Sequence, residues 1–242
     1  MSNDIPDFTT LKARQRALRD GWPQDFALRI HRAISWIGRA EQETEDPGAA
    51  FMFLWIAFNA AYGGERSTFG ARDDFETFFL RLQRLDADNR LYRIVWSAFP
   101  GPIRLFLENR YVFAPFWSFH HGNREAEDWE ARFDAARRRF HKALSEGDTV
   151  AILSMLFDRL YVLRNQLMHG GATWNSATNR DQLRDGAAIL RNVVPVMADL
   201  MMDAPEGGWG APMYPVVEGR EYGSGEGERR GIQGVASGKR CE

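Results

Sequence analysis

The residues best suited to chemistry in this 242-residue chain are Arg164, Asn165 and His169, in the string Arg164-Asn165-Gln166-Leu167-Met168-His169, followed at once by Gly170-Gly171. A permanent cation, a carboxamide and a titratable imidazole then lie within one and a half turns of a helix that is about to end. A guanidinium presents a planar donor fork suited to phosphate oxygens. An imidazole can exchange protons near neutral pH. That combination suits the handling of a phosphodiester. On an ideal helix Asn165 and His169 share a face, whereas Arg164 and His169 lie roughly 140° apart. Gly170 is a natural helix terminator, and it frees the histidine from strict helical direction. A histidine in the last turn also feels the negative end of the helix dipole, which favours its protonated form. The same residues fit a plainer description, with Arg164 a solvated helix residue and His169 a C-terminal cap.

The elements that must carry these residues are helical. Phe26, Ile30, Ala33, Ile34 and Ile37 recur at helical spacing with arginines between them. Asp46-Pro47-Gly48 starts a second helix that runs to Tyr62, and its apolar character on all sides predicts the central helix of a bundle. Asp73 is placed to cap a third, with Phe75, Phe78, Phe79, Leu82 and Leu85 on one face. A fourth carries Leu91, Ile94, Val95 and Ala98 and should stop at Pro100-Gly101-Pro102. A short helix near 103–110 then leads into an aromatic loop over 113–119.

Trp129, Phe133, Ala136, Phe140 and Leu144 mark a further helix, broken at Gly147. The motif helix follows, capped by Asp148 or Thr149, with Leu153, Leu156, Phe157, Leu160, Leu163 and Leu167 facing inward. A last helix from Thr178 or Asn179 to about Met202 should kink or divide at Pro195. No useful strand alternation is present. The class is all-α, a bundle of about six to seven helices over 25–203, preceded by an extension over 1–24. Residues 204–242 include ten glycines and no apolar period, which predicts a disordered tail.

Composition narrows the partners. Net charge is −2, so no global basic field recruits nucleic acid and any polyanion site must be local. The single cysteine, Cys241, excludes a disulfide framework and a cysteine-based zinc site. No signal-like N-terminus or membrane-length apolar run is present, which predicts a cytoplasmic protein with no membrane partner. Arg137, Arg138 and Arg139 could track a phosphate backbone. The acidic residues before them on the same helix make a solvated mixed-charge face the commoner outcome. His120-His121 have no carboxylate or cysteine at ligand spacing, so they read as a loop pair that could border a site. No metal or cofactor is expected.

The string Arg164-Asn165-x-x-x-His169-Gly170-Gly171 resembles the R-[polar]-x3–5-H motif of the HEPN superfamily, and its Apea-like members in particular. Phe53-Leu54-Trp55-Ile56-Ala57-Phe58-Asn59-Ala60-Ala61-Tyr62-Gly63 is similar to the apolar second-helix signature of that group. The resemblance covers about 25–202. It implies a helical bundle that pairs with a second copy so that both motifs meet. It implies a metal-independent endoribonuclease of toxin–antitoxin or defence systems, with RNA as substrate and an antitoxin or defence protein as a further partner. Carried over, His169 would move the proton, Arg164 would stabilise phosphoryl charge, and Asn165 would hold the pair in register. Asn59 would support the motif helix or serve as a buried amide that sets helix register. Other members of the superfamily only bind RNA, a nucleotide or a partner protein.

Overall fold

The computed structural model describes residues 5–63, 72–171, 173–174 and 176–215, and among these it is all-helical, with no strand. Ten α-helices follow in order: α1 (Phe8–Leu18), α2 (Gln24–Glu41), α3 (Pro47–Tyr62), α4 (Arg72–Leu85), α5 (Arg90–Arg93), α6 (Pro100–Leu107), α7 (Ala114–His120), α8 (Trp129–Glu146), α9 (Thr149–Met168) and α10 (Ala177–Met201). No helix among the described residues is long and apolar enough to cross a membrane.

The apolar α3 lies between α2 and α10, and α4 lies on α9. Phe51, Leu54, Trp55 and Phe58 of α3 are buried. Phe58 meets Phe157 of α9 at 4.6 Å between ring centroids, and Phe79 of α4 meets the same ring at 4.9 Å. Offset and edge-on rings at such spacings add to the stabilisation from apolar burial. α10 packs so closely on this core that a Cβ at Gly186 would stand 3.1 Å from the Phe51 ring.

Several boundaries differ from those expected. The aromatic stretch predicted as a loop forms α7, because Pro115 sits in the first turn, where its missing N–H costs no hydrogen bond. Pro100-Gly101-Pro102, predicted to end a helix, begins α6 for the same reason. The preceding run ends in a single wide helical turn over Ile94–Ala98. Asp73 falls inside α4, whose first residue is Arg72, and not at the position before it. α10 continues through Pro195 as one element, so the division allowed there does not occur.

The N-terminal extension contains α1, capped by Asp7, whose carboxylate accepts from Thr10 N at 2.8 Å. Its Leu11 is fully buried. Gly38 of α2 makes room for Phe8, since a Cβ there would lie 2.5 Å from the ring. At the other end, residues 204–215 of the predicted tail lie against the bundle. Trp209 packs beside Phe78 and under Arg81, whose guanidinium lies 5.0 Å from its ring. The remainder of that tail, 216–242 with Cys241, lies outside the described residues.

Candidate functional site

α9 is held at its start by Asp148, which accepts from Ala151 N at 2.9 Å, and along its inner face by Leu153, Leu156, Leu160 and Leu163, all buried. The motif begins where this burial ends. Arg164, Asn165 and Gln166 are half-buried, and Met168 and His169 are exposed. The glycines that follow have a structural reason. Gly170 adopts φ +67°, its N–H donates to Leu167 O at 3.2 Å, and Gly171 N–H donates to Gln166 O at 2.7 Å. This left-handed closure satisfies the last carbonyls of the helix. A Cβ at Gly171 would come within 3.0 Å of Gln166 O.

The three motif residues are linked but divided. Arg164 Nη1 donates to Asn165 Oδ1 at 2.9 Å. Asn165 and His169 line one cleft of about 1060 Å³, together with Tyr111, Trp117, His121 and Gln166. Arg164 lines a second cleft of about 620 Å³ with Asn59. Tyr161 borders both. The divergence follows from the five-residue separation of Arg164 and His169 on one helix.

The first cleft is shaped by the turn before α7. Gln166 Nε2 and Trp117 Nε1 both donate to Tyr111 O, at 2.6 and 2.7 Å, so the motif helix and α7 are fastened to the same carbonyl. Among the described residues no Arg, Lys, Asp or Glu lines this cleft. It offers amides, two hydroxyls besides Ser118, and aromatic rings. Gln182 of α10 also borders it, with its Oε1 buried and without a partner among the described residues. The loop after the motif is tied back to the bundle through Trp174 Nε1, which donates to Asp46 Oδ2 at 2.9 Å.

That bond gives the loop a measurable anchor. Asp46 also caps α3, accepting from Ala49 N at 3.0 Å. The Trp174 bond, followed by the Ala49 bond, lowers the Asp46 carboxyl below its ordinary value. A depressed carboxylate contributes stability above its unfolded pKa and loses it as pH falls through the folded value. Asp46→Ala should therefore cost ~1 kcal/mol at neutral pH. In thermal melts the gap between wild type and variant should close as pH falls below the ordinary carboxylate range; a gap unchanged by pH would refute the assignment.

Asn59 lies in the second cleft, beside the motif helix, and its Oδ1 is buried with no partner among the described residues. The three arginines of α8 do not form one patch, because successive residues turn by about 100°. Arg137 lies 3.8 Å from Asp134, and all three are exposed. Arg139 lines a third cleft of about 520 Å³ that also contains Arg132 and Arg159. Of the histidine pair, His120 ends α7 against Phe116 and His121 borders the first cleft. No group of potential metal ligands occurs among the described residues.

No protein-family model, curated protein or solved structure matches this chain at a significant level. The site rests on its own geometry. Sequence reading missed Tyr111, Trp117, Tyr161 and Arg32 as lining residues. Trp117 and Tyr111 stood in a stretch read as irregular, and Tyr161 and Arg32 stood on helical faces with no local mark of a cleft.

Proposed function

We propose that this chain is a metal-independent endoribonuclease of the HEPN type, with His169 as its proton-transfer group. The observation that carries the reading is the exposed imidazole at the end of α9, facing a cleft shared with the amide that its neighbouring guanidinium holds. His169 takes the proton of a ribose 2′-hydroxyl, and that oxygen attacks the adjacent phosphorus. The P–O5′ bond breaks and the 5′-oxygen takes that proton back from the imidazolium of His169, giving a 2′,3′-cyclic phosphate and a 5′-hydroxyl end. Tyr111 and Trp117 offer rings for base stacking, and the amides offer donors and acceptors to base edges.

Arg164 stabilises charge on the non-bridging oxygens in this scheme. In its own chain it faces the neighbouring cleft, so the reading requires a homodimer in which a second copy brings its Arg164 to His169. Service as a toxin or defence effector, with an antitoxin or defence protein as partner, rests on the sequence resemblance alone. The division of Arg164 from His169 also favours one competing reading, a non-catalytic module that binds RNA, a nucleotide or a partner protein.

Incubation of the full chain with mixed-sequence RNA in EDTA tests the reading directly. Fragments ending in 2′,3′-cyclic phosphate, and no cleavage of the matching DNA, are expected. Intact RNA at micromolar protein, with RNA still retained on a column of immobilised protein, would favour the binding module.

A further inference from the structure

The third cleft, of about 520 Å³, lies between α6, the start of α7, α8 and α9, and contains none of the motif residues. Its floor is apolar. Leu107, Phe113, Phe140, Met155 and Val162 line it, and all five are buried. On the α8 side Ala135 and Ala136 leave the space open, where larger side chains would close it. Methionine in such a wall adapts to the shape of what it meets. Among the described residues the lining has no amide and one hydroxyl, that of Tyr161, so little there could read a base edge or a sugar.

Charge enters this apolar space from two helices. Arg132 and Arg139 of α8 stand seven residues apart, which returns them to nearly the same face. Arg159 of α9 is only 7% exposed, and its guanidinium lies 4.4 Å from the centre of the Phe113 ring and 5.8 Å from that of Phe133. A cation over a ring face is stabilised by the ring quadrupole, so a positive charge is held well inside the protein. Two carboxylates oppose these groups. Asp128 receives Arg132 Nε at 2.7 Å on the exposed side of α8, and Asp158 stands in the lining itself. Three guanidiniums thus face two carboxylates, which leaves one positive charge over.

Arg132 also donates through Nη2 to Glu125 O at 2.8 Å, which fixes it along the rim. Arg139 is exposed at the mouth, where its guanidinium reaches both solvent and the apolar floor.

We infer that this cleft binds a small apolar carboxylate, with its anionic end on Arg139 beside Arg159 and its body against Phe113, Phe140 and Met155. The planar guanidinium fork matches a carboxylate in charge and shape. A single surplus charge is balanced by one carboxylate, whereas a phosphate monoester brings nearly two. The apolar floor selects a body without polar groups, which gains free energy by leaving water. The volume lies within the range of small-molecule sites, about 300–1,000 Å³. The body is either a flexible alkyl chain or an aromatic ring on a short chain, and the chemistry recognised is the same. Neither His169 nor Arg164 takes part.

Calorimetric titration of the full chain with octanoate, phenylpropionate, their uncharged alcohols octanol and phenylpropanol, and acetate tests the inference. At least one of the two acids should saturate one site per chain below about 1 mM. Its alcohol, which lacks the charge, and acetate, which lacks the body, should each bind at least about tenfold more weakly. Tighter binding of octanoate assigns the cleft to an alkyl chain, and the reverse assigns it to an aryl body. Arg139→Ala, at an exposed position, should weaken the acid about tenfold, with partial recovery in Arg139→Lys. Ala135→Leu keeps a good helix former on α8 and fills the space, and should weaken the acid about tenfold or more.

His169→Ala should bind the acid as wild type does, so this inference and the cleavage reading fail separately. Absence of saturable binding of both acids at millimolar ligand would overturn the inference. So would equal affinity for acid and alcohol, which would reduce the cleft to an apolar cavity, or full affinity in both Arg139→Ala and Ala135→Leu.

Discussion

His169→Ala should lower the rate of RNA cleavage by about 10²–10⁴, the range typical for loss of a positioned proton-transfer group. The substitution leaves the fold intact, because His169 is exposed and its contribution to helix closure is through its backbone N–H, which donates to Asn165 O at 3.0 Å. Arg164→Ala should produce a comparable loss, since it removes a charged donor from the phosphoryl oxygens. Mixing separates a site shared between two copies from one confined to each chain. When His169→Ala and Arg164→Ala proteins are unfolded together and refolded, random pairing makes half of the dimers mixed, each with one complete shared site. About a quarter of wild-type cleavage should return by that symmetry argument. If neither single variant is impaired, the nuclease assignment fails. If both are impaired and mixing restores nothing, the shared site fails.

Asp199→Ala carries the largest expected effect on stability. Asp199 of α10 receives Arg14 Nη1 at 2.6 Å from α1 and Arg90 Nη1 at 2.8 Å from α5, and Arg14 also pairs with Asp203. The side chains of Asp199 and Arg90 are only 15% and 13% exposed. Removing the shared carboxylate leaves the mostly buried Arg90 guanidinium without its counter-charge. Such losses cost ~3 kcal/mol. For a chain of this size that lowers Tm by about 6–12 °C. Asp203 is 48% exposed, so Asp203→Ala should cost no more than ~1 kcal/mol. Circular dichroism melts of the two variants give the comparison. Equal, small shifts would show that α1 is held by Phe8 and Leu11 alone.

Much of the bundle was legible because apolar periodicity encodes which faces are buried. α2, α3, α8 and α9 begin and end within a few residues of the predicted positions, and Asp46, Asp148 and Gly147 act as the predicted caps and stop. The errors came from residues whose effect depends on context. Proline was read as a terminator at 100–102, and Pro115 lay in a stretch read as a loop, yet proline also suits the first turn of a helix. α1 was missed because its mean apolarity is low. Only Leu11 and Gln15 are buried in it, and its docking depends on the long-range Asp199 contacts.

The candidate site was legible in part for the same reason. Residue types and their linear order could be read, and with them the Asn165–His169 pairing. The division of Arg164 from His169 was implicit in their angular separation. The clefts that make it consequential are built by Tyr111, Trp117, Arg32 and Tyr214, from distant stretches of chain. No local pattern records such a meeting.

Besides the packing of Trp209, Arg29, Arg32 and Arg81 hold the stretch from Gly208 to Tyr214 through the peptide oxygens of Gly208, Gly210, Ala211 and Tyr214. Every residue type supplies the same oxygen, so this mooring does not depend on what is written at 211, 213 or 214. Those positions can accept varied side chains and reshape the rim of the Arg164 cleft while the chain keeps its course.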